Sequence, residues 1–156
     1  MQVSSKKAFT MIELIFVIVV IGILSAIAIP KLAATRDDAT ITKARTTIAS
    51  VRAALSTERQ KRILRGDFSD LVNLGGTTGD SKTLFNNYDN DENASTVLEY
   101  PITSCASGAR GCWTKTSDTV YTYRMPHNST NVAFTLDRNK FRLNCVSSPD
   151  CKLLTE

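Results

Sequence analysis

From Leu14 to Ile29 the chain is apolar almost without interruption, broken only by Gly22 and Ser25. Twelve of these positions are Leu, Ile, Val or Phe, each favouring membrane insertion by roughly 0.3 to 0.6 kcal/mol. The 22 residues Phe9–Pro30 would span about 33 Å as a helix, enough to cross a hydrocarbon core of about 30 Å. Beyond Pro30 the pattern changes period. Ile41, Ala44, Ile48, Val51 and Leu55 recur at alternating spacings of three and four, which predicts a helix with one narrow apolar face. Arg59, Lys61, Arg62 and Arg65 crowd its last turns, where cations suit the negative dipole end, and Gly66 stands where a left-handed cap is needed, so the helix should stop at Arg65. Gly22 and Pro30 predict a bend or local melting within it.

The rest alternates differently. Residues 66–96 are broken by Gly75-Gly76, Gly79-Asp80 and Asn86-Asn87, and read as loop with one short helical turn near Ser69–Leu74. Period-two alternation follows at Tyr121/Tyr123/Met125, Val132/Phe134/Leu136 and Phe141/Leu143/Cys145, with turn residues between, predicting a three-stranded meander. Val97–Ile102 is a fourth candidate strand, confined to an edge or strand end by Pro101. Alternate positions such as Thr122, Arg124, Thr135 and Arg142 are polar, so one sheet face should meet water while the other covers the apolar face of the helix. The expected fold is α+β, a long N-terminal helix packed on a small antiparallel sheet. Its parts are a leader (1–8), a membrane helix (9–30), an amphipathic helix (31–65), an acidic loop (66–96) and a β head (97–156).

Charge and cysteine content sharpen this division. Of the net +4, residues 31–65 carry +6 and residues 66–96 carry −5. A uniformly basic protein is excluded, and the segregation speaks for self-association or intrachain docking more than for nucleic acid. The cluster Arg59-Gln60-Lys61-Arg62 with Arg65 could grip phosphates, but it has no interleaved aromatic residue and an acidic segment follows it. There is no G-x-S-x-G, P-loop or H-E-x-x-H, and His127 is the one histidine, so no enzyme activity is expected. Lys6 and Lys7 before the apolar run place the N-terminus in the cytoplasm and the remainder outside. Four cysteines suit such an oxidising compartment. They allow three pairings, among which two local loops, Cys105 with Cys112 and Cys145 with Cys151, are favoured. Neither pair is a C-x-x-C, which argues against zinc or redox roles.

Glu13 does not belong in a plain anchor, because a carboxylate in an apolar segment costs up to about 3 kcal/mol at mid-bilayer, less near the edge. Either it is solvated at the headgroup level or it has a partner cation. Cutting the chain between Ala8 and Phe9 would free an α-amino group one helical turn away. The run Lys6-Lys7-Ala8-Phe9-Thr10-Met11-Ile12-Glu13-Leu14, followed by the apolar stretch and Pro30, resembles the N-terminal signal of type IV pilins and type II secretion pseudopilins. The resemblance is strong from Lys6 to about Arg65 and covers the remainder only in general layout.

The resemblance implies that a prepilin peptidase cuts after Ala8 and methylates Phe9, and that Glu13 pairs with a neighbouring subunit's terminal amine during assembly. Family members usually have Gly where Ala8 stands. It further implies a structural subunit held in the bacterial inner membrane with its head in the periplasm, engaged by an assembly platform, and polymerised with itself or similar subunits in the periplasm or at the cell surface. The machine is left open among a type II secretion pseudopilus, a type IV pilus and a DNA-uptake filament. An ordinary secretory signal cut near Ala26-Ile27-Ala28, releasing a soluble protein, is one rival; a single-pass protein with a periplasmic binding head is another. No cofactor is expected, with calcium as a weak candidate. Asp89, Asp91 and Asn93 open like a calcium loop, in a region where major pseudopilins bind calcium, but Ala94 replaces the required Gly and Tyr100 the bidentate Glu. Asn93 and Asn128 begin bare glycosylation sequons, which mark surface turns.

Overall fold

The computed structural model describes residues 9–146 and 148–155. The chain divides into two compact units, Met1–Arg36 and Asp37–Glu156, and one helix, α1 (Met11–Leu64), contributes to both. In the first unit α1 presents its apolar residues outward: Ile18 is 58% exposed, Leu24 61% and Ile27 67%. Helical geometry continues through Gly22 and Pro30, so the melting expected there is absent. Pro30 removes a single N–H from the ladder, and the turns on either side keep theirs.

In the second unit the three-and-four periodicity does what it predicts. Ala44, Ile48, Val51 and Leu55 are buried and Ile41 partly so. α1 ends at Leu64, one residue before the expected stop, and Gly66 (φ +73°) forms the left-handed cap. Gly66 N–H donates to Ile63 O at 3.0 Å and Asp67 N–H to Arg62 O at 2.9 Å, the paired bonds that close a helix C-terminus. No helical turn forms at Ser69–Leu74. That segment is extended, with Leu71, Asn73 and Leu74 buried, and Arg138 clasps Leu71 by donating Nε to its carbonyl at 2.8 Å.

Two short strands, β1 (Thr83–Leu84) and β2 (Ile102–Thr103), pair antiparallel as a separate ribbon, so the expected strand at Val97–Ile102 shrinks to its last position. Pro101 cannot donate to a ladder; before it, Thr96 bridges Asn87 and Leu98 N–H donates to Phe85 O at 3.1 Å, so pairing on its N-terminal side is limited to isolated contacts. A tight turn, Tyr88–Asn90, with Asp89 and Asn90 in the left-handed region, interrupts the loop between β1 and β2. The main sheet has four antiparallel strands in sequential order: β3 (Cys112–Lys115), β4 (Val120–Arg124), β5 (Asn131–Asp137) and β6 (Arg142–Cys145). β4, β5 and β6 are the expected meander. β3 was not legible, because Lys115 occupies an inward position where the pattern calls for an apolar residue. Its side chain is buried all the same, with Nζ donating to Gly76 O at 2.9 Å and standing 3.2 Å from Asp118 Oδ1.

Register places Trp113 opposite Tyr123, Tyr121 opposite Phe134 and Leu136 opposite Leu143, and these inward residues form one core with the buried stripe of α1. Trp113 packs among Phe85, Tyr123 and Phe134 with ring centroids 5.2–5.8 Å apart, spacings favourable for aromatic pairs. Gly75 and Gly76 let the loop pass close beneath this core: a Cβ on Gly76 would stand 2.7 Å from Thr83 O. Tyr121 Oη fastens the loop by donating to Gly75 O at 2.9 Å and accepting from Leu74 N–H at 3.0 Å. Disulfides join Cys105 to Cys112 and Cys145 to Cys151, with Cα separations of 5.4 and 5.9 Å. A last helix, α2 (Cys151–Thr155), tucks Leu154 into the core.

Candidate processing and assembly segment

Phe9 and Thr10 precede α1, so Thr10 takes the capping position and Glu13 the third residue of the first turn. Glu13 Oε2 accepts from Thr10 N–H at 2.9 Å and from Thr10 Oγ1 at 2.8 Å, while Glu13 N–H donates to Thr10 Oγ1 at 3.3 Å. This is a reciprocal capping box, in which the side chains at both ends satisfy helix donors that have no partner within the helix. The signal was present in the sequence as Thr10-x-x-Glu13 before an apolar run, and the reading of Glu13 as a lone carboxylate overlooked it. Glu13 thereby folds back onto the residue next to Phe9, at the positive end of the helix dipole. A carboxylate has about four acceptor sites, so capacity remains for a further cation. Phe9 is 82% exposed. Ala8, Lys6 and Lys7, the other residues of the expected cleavage signal, lie outside the described residues.

The remaining candidates are scattered. Asp89 and Asp91, of the weak calcium candidates Asp89, Asp91 and Asn93, each have partners within the chain. Asp89, in the left-handed region at φ +59°, accepts from the backbone N–H groups of Val72 and Asn73 and pairs with Arg62 at 2.9 Å. Asp91 Oδ1 accepts Asn93 N–H at 2.9 Å, closing a local turn. Among the described residues no group of three His, Cys, Asp or Glu side chains gathers. Asn93 and Asn128 are both exposed, and Asn128 Nδ2 donates to Asp150 at 3.3 Å. His127 is exposed in its turn.

What the sequence reading did not anticipate is that the helix stripe continues past Leu55 in charge. Glu58 is buried at the next inward position and Arg62 is partly buried at the one after. Arg62 lies 3.1 Å from Glu58, 2.9 Å from Asp89, and 5.4 Å above the Phe141 ring. Burial alone would lower the Arg62 pKa, but the hydrogen bonds and charges of Asp89 and Glu58 outweigh it and the net shift is upward. The trio anchors the 72–73 and 88–90 segments to the end of α1.

Residues 3–29 match the family described as the prokaryotic N-terminal methylation motif. No curated protein and no solved structure matches the chain. The matched segment covers the leader, Phe9, the capping box and nearly all of the apolar run, and an 18-residue window of α1 has a mean hydropathy of 3.0, enough to cross a membrane. The chain therefore carries the prepilin motif of type IV pilins and pseudopilins, as a pilin-like precursor of α+β architecture.

Proposed function

We propose that this chain is the structural subunit of a filament, either a type II secretion pseudopilus or a type IV pilus. Prepilin peptidase removes residues 1–8 on the cytoplasmic face and methylates Phe9. The apolar half of α1 holds the subunit in the inner membrane, with its head in the periplasm, until an assembly platform transfers it into the polymer. There the same apolar surface packs against copies of itself. The observation that carries this reading is the coincidence of the methylation motif with an exposed apolar helix whose first turn holds Glu13. A contiguous apolar surface of this size needs lipid or protein to cover it, and an ion pair at the filament axis contributes register more surely than stability.

Two measurements test it. The mass of the mature protein should correspond to a methylated Phe9 start; a start at Ile29 would instead indicate ordinary secretion. Glu13→Gln retains an acceptor suited to the capping box while removing the charge. Membrane insertion should persist and recovery in sheared filaments should fall by about tenfold or more, as for loss of a buried ionic partner. Recovery of Glu13→Gln at wild-type level would show that Glu13 serves as a cap and has no part in subunit register.

A further inference from the structure

Arg45, Arg52 and Arg59 follow one another at intervals of seven residues along the second half of α1. Such a series drifts by only about 20° per step around a helix, so all three stand on one flank of the buried stripe. Each reaches a backbone carbonyl of the C-terminal segment: Arg45 that of Leu153, Arg52 that of Leu143 at 3.1 Å, Arg59 that of Lys140 at 3.2 Å. β6 is an outer strand of the sheet; Arg52 engages it directly through Leu143, while Arg59 and Arg45 hold the turn before it and α2 after it. A guanidinium has five donors, so most remain directed elsewhere. Arg52 and Arg59 join exposed Lys140 and Arg142 around a groove of about 410 Å³ lined by no acidic residue. Among the described residues Arg45, Arg52, Arg59 and Arg142 have no carboxylate within ion-pair distance, and Lys140 has only Asp137 at 3.8 Å.

The other flank of the same helix segment meets the loop. Lys61 Nζ donates to Ser95 Oγ, and Thr47 and Ser50 border a groove with Val97, Leu98 and Glu99. Asp91, Glu92 and Glu99 are exposed along this loop, and among the described residues none has a cation within ion-pair distance. Lys43 lies on this flank as well, beyond ion-pair distance of Glu99.

We propose that the basic flank (Arg45, Arg52, Arg59, Lys140, Arg142) receives the acidic flank (Asp91, Glu92, Glu99) of a second copy of this chain. The two patches are opposite in sign, and Glu99 borders the side of the helix opposite to Arg45, Arg52 and Arg59. A contact between them is therefore head-to-tail, the heterologous kind that propagates into an open polymer where the rotation does not close a ring. The inference rests on the filament reading and deepens it, assigning a lateral head contact in addition to packing of the apolar helix.

The test uses filaments assembled from an equal mixture of isotopically light and heavy full-length chains, treated with a carbodiimide that condenses an amine and a carboxylate into an amide with loss of water. Peptides joining Lys140 to Asp91, Glu92 or Glu99 should appear with mixed isotopes; links found only within one isotope overturn the proposal. Lys140→Glu with Arg142→Glu, or Asp91→Lys with Glu92→Lys, should each lower incorporation by about tenfold, since like charges juxtaposed in an interface are strongly disfavoured. Combining the two reversals should restore incorporation to within about twofold, because the pairing is re-formed with signs exchanged. Circular dichroism and disulfide mapping establish that each variant is folded. Wild-type incorporation of both reversed sets overturns the contact while leaving the filament reading intact. Absence of the wild-type chain from filaments overturns the filament reading and this contact with it. A basic-flank reversal that abolishes binding to duplex DNA yet assembles normally assigns the flank to nucleic acid and overturns the proposal.

Discussion

The two halves of α1 share a conformation and differ in what surrounds them. In the first, Ile18, Leu24 and Ile27 are more than half exposed; in the second, Val51 and Leu55 are fully buried. Both halves are helical, differing in the ladder only by the N–H that Pro30 lacks, so backbone conformation cannot account for the difference. The first half is apolar on every side and no single face is set apart for a sheet to cover. The second confines its apolar residues to a stripe, flanks them with arginines on one side and threonines and lysines on the other, and ends the stripe in an ion trio of which Glu58 is buried and Arg62 and Asp89 partly so. One half is written for a surrounding it shares with lipid or other subunits, the other for the head of its own chain.

The largest expected effect separates them by function. Glu13→Leu should leave the head's melting temperature unchanged but reduce filament incorporation by about tenfold or more, measured by immunoblot of sheared fractions. The next separates them by stability. Leu55→Ala should destabilise the full chain in detergent by about 2 to 5 kcal/mol, the usual cost of emptying a packed core position. Ile18→Ala should leave the melting transition of the head where it is; a comparable loss at both sites would break the distinction between the halves.

Arg62→Met tests the charged end of the stripe. It leaves Glu58 buried without its closest partner, and chemical denaturation should report a loss of about 3 kcal/mol. Two tyrosines then allow a finer comparison within the head. Tyr121 Oη has two hydrogen bonds, whereas Tyr88 Oη is buried with no partner. Tyr121→Phe should cost about 1 to 2 kcal/mol and Tyr88→Phe about 0.5 or less, since the second removes an unsatisfied group. Burial raises the pKa of both phenols above the ordinary value of 10.0. The unfolded chain ionises first, so their contribution to stability is intact below pH 10.0 and is lost as pH rises toward the folded-state values. Stability in alkaline titration should fall above that point, and less steeply in Tyr88→Phe. The smallest effect concerns calcium: chelation should leave the melting temperature of the head unchanged, because the Asp89 carboxylate is committed to Arg62 and two backbone N–H groups. A shift of several degrees on adding calcium would contradict this.

Legibility followed the physics of each signal. The apolar run, the three-and-four stripe, the Gly66 cap and three of four main strands could be read because each depends on neighbours within a few residues. The capping box was equally local, yet Thr10 and Glu13 were not read as a pair. β3 escaped because Lys115 interrupts the alternation, and its burial is compensated by a hydrogen bond to the Gly76 carbonyl, brought from a distant loop, and by the Asp118 carboxylate. The partners of Asp89 were not legible for a related reason: the spacing of Asp89, Asp91 and Asn93 is local, but the Asp89 side chain is engaged by Arg62, 27 residues earlier.

Sequence alone determined that this chain has a prepilin-type N-terminus and a helix that changes from uniformly apolar to amphipathic, because insertion and periodicity sum over contiguous residues. Tertiary structure decided which charges are neutralised inside and which are presented outside. Glu58 and Arg62 already pair along the helix, but Asp89 joins them only after the loop returns to the end of α1. The carbonyls of Lys140, Leu143 and Leu153 reach Arg59, Arg52 and Arg45 only once the C-terminal segment packs beside them. Electrostatic energy depends on distances through space, which chain order does not specify.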